Sequence, residues 1–220
     1  MQNEELFPHI ITHRQFSTPQ TIILEFASST TFIPGQVVAI SNTPNGLAPR
    51  LYSIASAPDE RIIRIIFDIK PAGALTPELA KLKPGDTIYA SKPFGDFICD
   101  NHPAYWIATG TGIAPFVSMT IAGLAINKTL LHGARLLDEL HFSSLFEDVL
   151  GSHYHRFCTA QSHPFVNQGR LTHFLKQKTD LPKDIMYYLC GSPEMVIEVR
   201  NILVEEKGIS YEKVAAEIYF

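Results

Sequence analysis

The chain has 220 residues, enough for one large domain or two small ones, each with a hydrophobic core. Hydrophobic residues make up 45% and charged residues 18%, which excludes an intrinsically disordered chain. The net charge of −4 argues against a nucleic-acid-binding protein, which would carry a surplus of basic residues. The cysteines form no Cys-x-x-Cys pair, which argues against a disulfide scaffold, a zinc site and an iron–sulfur cluster; they are Cys99, Cys158 and Cys190.

The first half of the chain contains six short segments rich in Ile, Val, Thr and aromatic residues. Turn sequences separate them, among them Pro34-Gly35 and Asn45-Gly46. The predicted strands lie at residues 9–16, 21–28, 36–41, 51–56, 61–69 and 86–91. A short helix is predicted at 77–82. This pattern predicts a small antiparallel barrel or sandwich over residues 1–100.

From residue 101 onward, apolar strands alternate with helical patterns. The predicted strands lie at 104–110, 129–134, 155–159, 185–191 and 214–220, and the predicted helices at 114–126, 136–150, 170–178 and 193–207. Such alternation is typical of a parallel sheet with crossover helices. The predicted fold class is therefore β plus α/β: an N-terminal antiparallel barrel followed, over residues 101–220, by a doubly wound parallel α/β domain.

Residues 103–127 contain no charged side chain, a length that would suffice for a transmembrane helix. Gly110, Gly112 and Pro115 interrupt this run, so a buried strand, a glycine turn and a core-facing helix explain it better. We therefore expect no membrane span. The first residues lack the basic and apolar regions of a signal peptide, and this predicts a cytoplasmic protein.

Two predicted strand ends of the α/β domain carry sequences suited to a ligand, because doubly wound sheets bind ligands at the carboxyl ends of their strands. Residues 110–115 (Gly-Thr-Gly-Ile-Ala-Pro) place two glycines between a strand and a helix, where a pyrophosphate could approach the backbone. The third glycine of the dinucleotide fingerprint is missing, so a plain tight turn is an equal alternative. Residues 190–193 (Cys-Gly-Ser-Pro) end another strand, and Cys190 alone would be an ordinary buried cysteine.

Two segments of the barrel half could also bind a phosphate. Residues 50–53 (Arg-Leu-Tyr-Ser) begin a strand whose alternation puts Arg50 and Tyr52 on one face, a cation beside a ring for stacking. The alternative is an exposed strand face with a cross-strand aromatic residue. Residues 73–76 (Gly-Ala-Leu-Thr) precede the short helix, with Thr76 expected as its N-cap and the nearby amides as a phosphate site.

These four motifs, taken in order, resemble those of the ferredoxin–NADP reductase family of flavoproteins. Residues 92–97 (Lys-Pro-Phe-Gly-Asp-Phe) and the ending at 216–220 (Ala-Glu-Ile-Tyr-Phe) are similar to that family too. The resemblance covers nearly the whole chain, and its strength lies in the ordered set. It implies FAD as cofactor and NADPH or NADH as co-substrate. It also implies an acidic electron-carrier protein, ferredoxin or flavodoxin, as partner.

The resemblance assigns roles to individual residues. Ser53 would lie near flavin N5 and Cys190 beside the nicotinamide, with Glu217 completing a polar cluster with both. Tyr219 would cover one flavin face until the nicotinamide displaces it. The FAD contacts would be Arg50, Leu51, Tyr52, Ser53, Gly73, Ala74, Leu75, Thr76, Tyr219 and Phe220. The NAD(P) contacts would be Gly110, Thr111, Gly112, Pro115, Arg135, Thr159, Arg170, Cys190, Gly191 and Pro193.

The choice between NADPH and NADH stays open at this point. The Ser-Arg pair that usually grips the 2′-phosphate in NADPH-specific members is replaced by residues 158–161 (Cys-Thr-Ala-Gln). Arg135 and Arg170 are the remaining cations for that phosphate, against the alternative of exposed helix-terminal charges. No acidic residue ends the second strand of the domain, although Asp138 and Glu139 follow soon after.

Two other functions also stay open: an oxygenase reductase component or free-standing flavin or quinone reductase, and a non-catalytic flavin-binding subunit that senses redox state. No metal site is expected, because His153 and His155 share a strand face without a third ligand nearby. The basic residues that could meet an acidic carrier are Arg14, Lys92 and Lys128.

Overall fold

The computed structural model describes residues 4–44 and 47–219. The predicted Asn45-Gly46 turn and Phe220 lie outside these ranges. The chain separates into two units: one contains Met1–Cys99 and Ala114–Ala122, and the other contains Asp100–Ile113 and Gly123–Phe220.

The first unit is built on a six-stranded antiparallel sheet. Its strands are β1 (Phe7–Thr18), β2 (Thr21–Ala27), β3 (Val37–Ser41), β4 (Arg50–Ser53), β5 (Ile62–Asp68) and β6 (Thr87–Ala90). They are ordered β4-β3-β6-β1-β2-β5. The amide of Ala55 donates to the carbonyl of Arg64, which brings the two edge strands together just beyond β4. All six predicted strands are present, and the predicted antiparallel barrel is confirmed.

Alternating apolar side chains build the core of this barrel. Phe26 on β2 lies opposite Ile63 on β5, and both are buried, whereas Arg64 between the buried residues of β5 is more exposed. A single short helix, α1 (Thr76–Leu79), contributes Leu79 to the same core. It begins one residue earlier and ends three residues earlier than predicted.

The second unit is built on a six-stranded parallel sheet. Its strands are β7 (Ala104–Thr109), β8 (Lys128–Ala134), β9 (Tyr154–Cys158), β10 (Asn167–Gln168), β11 (Met186–Gly191) and β12 (Val214–Ile218). Every pairing is parallel, and the order is β10-β9-β8-β7-β11-β12. The direction of chain progression reverses between β7 and β11, which makes the carboxyl ends of these two strands the expected ligand site. The predicted doubly wound α/β domain is confirmed.

The helices of the second half are shorter than the sequence predicted. They are α2 (Ala114–Ile121), α3 (Ser143–Leu150), α4 (Leu171–Gln177) and α5 (Pro193–Asn201), the last followed by a π-helical turn at Ile202–Glu206. Helix α2 ends early because Gly123 adopts φ +83°, a left-handed conformation that terminates helices. Its contacts place α2 in the first unit. Within residues 4–44 and 47–219, no helix has the length and apolar character needed to cross a bilayer.

Lys128 is buried at the beginning of β8, with 1% of its surface exposed. Its ammonium group donates to the backbone carbonyls of Asp100 (2.9 Å) and His102 (2.8 Å) and lies 5.8 Å from the centre of the Trp106 ring. The prediction that Lys128 could meet a carrier protein is therefore wrong. This cation holds the chain segment that enters the parallel sheet.

Candidate functional site

The turn after β7 is the first element of the candidate site. Residues Gly110–Ile113 form a 3-10 turn in which Gly110 has φ +53°, a left-handed conformation that favours glycine. A Cβ at Gly110 would meet no atom within 4 Å, so this side of the turn is open. A Cβ at Gly112 would overlap the carbonyl of Cys190 and lie 2.6 Å from the Cα of Gly191. The first glycine thus shapes an open turn, and the second lets the turn pack against β11.

Two other predicted contacts follow in this segment. Thr111 is partly exposed within the turn. Pro115 is buried in the first turn of α2, directly after the glycine turn in the sequence. Because α2 belongs to the first unit, the part of Pro115 in nucleotide binding stays a prediction.

The end of β11 is also shaped by close packing. Gly191 has φ +150°, and a Cβ there would overlap the hydroxyl of Thr109 and lie 2.9 Å from Cε of Met195. Ser192 caps α5, its hydroxyl accepting from the amide of Met195 at 3.3 Å. Pro193 takes the first helical position, where its missing N–H needs no partner. Glycine, serine and proline therefore join β11 to α5 right beside the end of β7.

Cys190 is fully buried near the end of β11, in register with Glu217 on β12. Burial, and then the charge of Glu217, raise the pKa of the thiol well above its usual range, whereas a hydrogen bond with Tyr219 acts in the opposite sense. The thiol therefore stays protonated at neutral pH, so it can donate a hydrogen bond but is a poor nucleophile. The amide of Tyr219 donates to the carbonyl of Gly191 at 2.9 Å. Three of the predicted transfer-site residues thus come together, and the part of Ser53, which lies in the first unit, stays a prediction.

Thr109, the last residue of β7, belongs to this site although the sequence did not single it out. Its hydroxyl oxygen is buried and has no hydrogen-bond partner in the part of the chain that the structure describes. An unpartnered buried hydroxyl is unfavourable by roughly 1–3 kcal/mol, which a bound ligand can relieve. The signal that could have revealed it is a polar residue directly before a glycine turn at a strand end.

In the first unit, β4 carries the predicted flavin contacts. Arg50 and Leu51 are exposed, whereas Tyr52 and Ser53 are buried. The Tyr52 ring packs edge-on against Phe67, with 5.9 Å between ring centres. Burial raises the pKa of Tyr52, and the charge of Arg50 acts in the opposite sense. This strand therefore presents a cation beside a mostly buried aromatic ring.

The loop before α1 is closed by its own hydrogen bonds. The amide of Gly73 donates to the carbonyl of Lys70 at 2.8 Å, and the amide of Lys70 donates to the hydroxyl of Thr76 at 2.9 Å. The prediction that Thr76 is the N-cap is wrong, because Thr76 is already helical and its hydroxyl is used by Lys70. Leu75 takes the N-cap position and buries its side chain in the barrel core, while Ala74 is exposed. Ala74 is thus exposed and Gly73 partly exposed, and their part in FAD binding stays a prediction.

The end of β8 carries a free cation and an engaged carboxylate. The Arg135 side chain is exposed and has no ion-pair partner among residues 4–44 and 47–219. One oxygen of Glu139 accepts from the amides of both Arg135 (3.1 Å) and Leu136 (2.9 Å). The carboxylate therefore serves the backbone of its own turn.

The two remaining predicted nucleotide contacts, Thr159 and Arg170, follow β9 and β10 respectively. Thr159 is exposed, and its amide donates to the carbonyl of Ala134 at 3.2 Å. Arg170, just before α4, is exposed with Glu198 4.0 Å away. Its charge is thus partly compensated within the chain, in contrast to that of Arg135.

Comparisons with known proteins identify the family of the chain. Residues 106–201 match the family described as the oxidoreductase NAD-binding domain. The ferredoxin–NADP reductase of Pseudomonas aeruginosa is 33% identical over 204 residues, and that of Azotobacter vinelandii is 32% identical over 203 residues. Each alignment covers 78% of this chain and 78% of the relative.

A solved structure shares the fold over almost the full length. It is a ferredoxin NADP+ reductase from Neisseria gonorrhoeae with bound FAD and NADP. The TM-score is 0.88 at 22% identity, and the match covers 98% of this chain and 99% of that one. The fold and the sequence relationship together show that the chain belongs to the ferredoxin–NADP reductase family of oxidoreductases.

Proposed function

We propose that this protein is an FAD-dependent reductase that takes a hydride from NAD(P)H and passes electrons to an acidic one-electron carrier, ferredoxin or flavodoxin. The observation that carries the proposal is the cluster at the carboxyl ends of β7, β11 and β12, where a buried, protonated Cys190 thiol is in register with Glu217. The names of the Pseudomonas and Azotobacter relatives support the reaction, and the Neisseria structure with FAD and NADP supports the cofactors.

The residues of the barrel fit an FAD molecule. The exposed Arg50 guanidinium supplies the charge-assisted donor that a pyrophosphate needs, and Tyr52 places an aromatic ring next to it. In the loop before α1, the exposed Ala74 and the partly exposed Gly73 would offer backbone groups to the FAD phosphates. When bound, FAD supplies a hydride acceptor that can release its two electrons singly. The task of these residues is to hold and orient the cofactor.

The strand ends of the second unit fit a nicotinamide dinucleotide. The open side of Gly110 lets a pyrophosphate approach the backbone, and the Thr109 hydroxyl offers a donor that no described residue uses. The Cys190 thiol, being protonated, can hold the nicotinamide without attacking it. A nicotinamide ring becomes cationic when it loses hydride, and the Glu217 carboxylate would stabilise that charge. These residues therefore favour hydride loss without any strong general acid or base.

The end of β8 favours NADPH over NADH. Glu139 is engaged by two amides and is not free to bind a ribose hydroxyl, whereas the exposed Arg135 can bind a 2′-phosphate. We expect Arg135→Ala to lower kcat/KM for NADPH about tenfold or more, the value of one charge-assisted contact, with NADH nearly unaffected. Arg170→Ala is the matched variant and should have a smaller effect, because Glu198 already compensates Arg170. Equal losses with both nucleotides would contradict this assignment.

The proposed function is tested by the visible spectrum of the purified protein, followed by anaerobic stopped-flow mixing with NADPH and, separately, NADH. A flavin spectrum that bleaches rapidly, and reoxidises on addition of ferredoxin or flavodoxin, is the expected result. Reoxidation only by free flavins or quinones would show that the electron acceptor is a small molecule and not a carrier protein. A flavin that neither nucleotide reduces would indicate a redox-sensing subunit. No flavin after reconstitution with FAD would refute the proposal.

A further inference from the structure

Arg14 on β1 carries a cation that is bound within the first unit. Its guanidinium donates from Nη2 to the backbone carbonyl of Ala80, 2.8 Å away, and the side chain is partly buried. The guanidinium also lies over the ring of Phe16, 4.6 Å from the ring centre. These two contacts fix the direction of a long, flexible side chain and join β1 to the residue that follows α1.

The carbonyl that Arg14 binds belongs to the C-cap residue of α1. The last carbonyls of a helix have no partner inside the helix, so a side chain that donates to one of them completes its bonding. Helix α1 has only four residues, too few to be stable in isolation, and it therefore depends on contacts with the barrel. Leu79 is fully buried in the barrel core and holds the apolar side of this helix. Arg14 holds its carbonyl end.

A continuous series of hydrogen bonds leads from this contact to the loop before α1. The amide of Ala80 donates to the carbonyl of Thr76 at 3.0 Å, and the hydroxyl of Thr76 accepts from the amide of Lys70 at 2.9 Å. The carbonyl of Lys70 in turn accepts from the amide of Gly73 at 2.8 Å. The loop is closely packed, because a Cβ at Gly73 would lie 3.1 Å from that same carbonyl. A displacement of Ala80 would therefore be transmitted to Gly73 through bonds that all lie in the first unit.

We infer that Arg14 is a positioning residue for the FAD site: by holding Ala80, it keeps α1 and residues 70–76 in the conformation in which the backbone at Gly73 and Ala74 meets the FAD phosphates. The inference rests on the proposed function and adds to its site a residue that acts through Ala80. A loop that is ordered before binding loses less conformational entropy on binding, so it binds its ligand more tightly. The contribution of Arg14 therefore falls on the affinity for FAD and not on hydride transfer.

The test is a titration of the deflavinated protein with FAD, followed by the quenching of FAD fluorescence. In Arg14→Met, which keeps an unbranched side chain and loses every donor, the Kd of FAD should rise about tenfold, the value of one hydrogen bond. Arg14→Lys, which restores a donor, should recover part of the affinity. With FAD at saturation, the KM of NADPH should stay within about twofold of wild type in both variants, since Arg14 acts on the flavin loop alone.

Two variants serve as matched controls. Lys81→Met removes a cation and its exposed ion pair with Glu78 (2.7 Å) from the same segment, and it should leave the Kd of FAD unchanged. Tyr187→Phe removes the hydrogen bond from a buried tyrosine to the Pro182 carbonyl (2.7 Å) in the second unit. It should lower Tm without changing the Kd of FAD.

A folded Arg14→Met protein with a lowered Tm and an unchanged Kd of FAD would overturn the inference. Should that variant not fold, Arg14→Gln, whose shorter side chain does not reach Ala80, decides in the same way. An equal loss of FAD affinity in Lys81→Met would also overturn the inference, because the effect would then come from the net charge of the segment. A wild-type protein that binds no FAD would instead refute the proposed function, and the inference with it.

Discussion

The two ends of the parallel sheet differ in whether their buried polar groups are hydrogen-bonded. At the amino ends of the strands, the Lys128 ammonium is buried but donates to the carbonyls of Asp100 and His102. At the carboxyl ends, the Thr109 hydroxyl and Nε2 of His132 are buried without a partner in normal geometry among the described residues. Because buried polar groups in proteins are nearly always hydrogen-bonded, the incomplete end is where a ligand is expected to complete the bonding.

The two edges of the parallel sheet also differ in how closely their backbone turns are packed. Every strand of a parallel sheet points its carboxyl end to the same edge, and the reversal between β7 and β11 opens a crevice there. Gly110, Gly112 and Gly191 lie at that edge, and two of them are forced by packing. The glycines in the turns that lead into β8, β9 and β12 (Gly123, Gly151 and Gly208) have no backbone atom of a neighbouring strand within 4 Å of a Cβ position. Four changes would break or sharpen this comparison.

The largest expected effect is the acid sensitivity that His132 confers. Its pKa is about 3 in the folded chain and 6.5 in an unfolded one, so below pH 6.5 the unfolded chain binds a proton that the folded chain does not. The free energy of unfolding therefore has its full value above pH 6.5 and decreases as the pH falls toward 3. This loss amounts to something on the order of 4 kcal/mol.

Urea unfolding of wild type and His132→Phe between pH 7 and pH 4 measures this contribution. Wild type should lose stability more steeply than the variant as the pH falls, since only wild type carries the group. A free-energy difference between the two proteins that is independent of pH would show that His132 is not neutral by burial.

The next effect distinguishes two glycines that look equivalent in the sequence. Gly112→Ala should destabilise the protein by about 3 kcal/mol, because the new methyl group meets the backbone of β11, which cannot rotate away. Gly110→Ala should cost only about 1 kcal/mol, since the space is open and only the left-handed conformation is strained. Thermal unfolding of both variants gives the comparison. Equal losses would mean that the turn does not rest on β11.

The sequence predicted the place of this turn but not the reason for each glycine. Two glycines between an apolar strand and a helix are visible in the residue order, and so are both sheets, because strand periodicity is a local property. Whether a glycine is needed for packing depends on β11, about eighty residues further along the chain. For the same reason Lys128 was placed wrongly, because its partners at Asp100 and His102 are set by strand pairing.

Thr76 shows the opposite limit, a local rule that failed locally. A threonine before a short helix favours an N-cap. In the structure, however, the Thr76 hydroxyl accepts a hydrogen bond from the amide of Lys70, and the helix begins at Thr76 itself. His132 was passed over because a lone histidine in an apolar strand gives no sign of what faces it. Tyr154 comes to it only through the pairing of β8 with β9.

The third effect tests the closed end of the sheet. Lys128→Met keeps the length of the side chain and removes the ammonium, which leaves the carbonyls of Asp100 and His102 without their donor. We expect a loss of about 2 kcal/mol in the free energy of unfolding, with unchanged kinetics for NADPH. Lys92→Met is the matched control on an exposed lysine and should change stability by less than about 0.5 kcal/mol. A changed KM in Lys128→Met would show that the amino end also shapes the nucleotide site.

The smallest effect has the opposite sign. Thr109→Val removes a buried hydroxyl that has no partner in the described chain, so it should raise stability by about 1 kcal/mol. If that hydroxyl is reserved for the dinucleotide, the same change should weaken NADP+ binding severalfold. Thr120→Val on α2 removes another buried hydroxyl of this kind and should raise stability without affecting the nucleotide. If Thr109→Val raises stability without weakening NADP+ binding, the Thr109 hydroxyl does not contact the dinucleotide. Its missing hydrogen-bond partner would then have no connection with the ligand site.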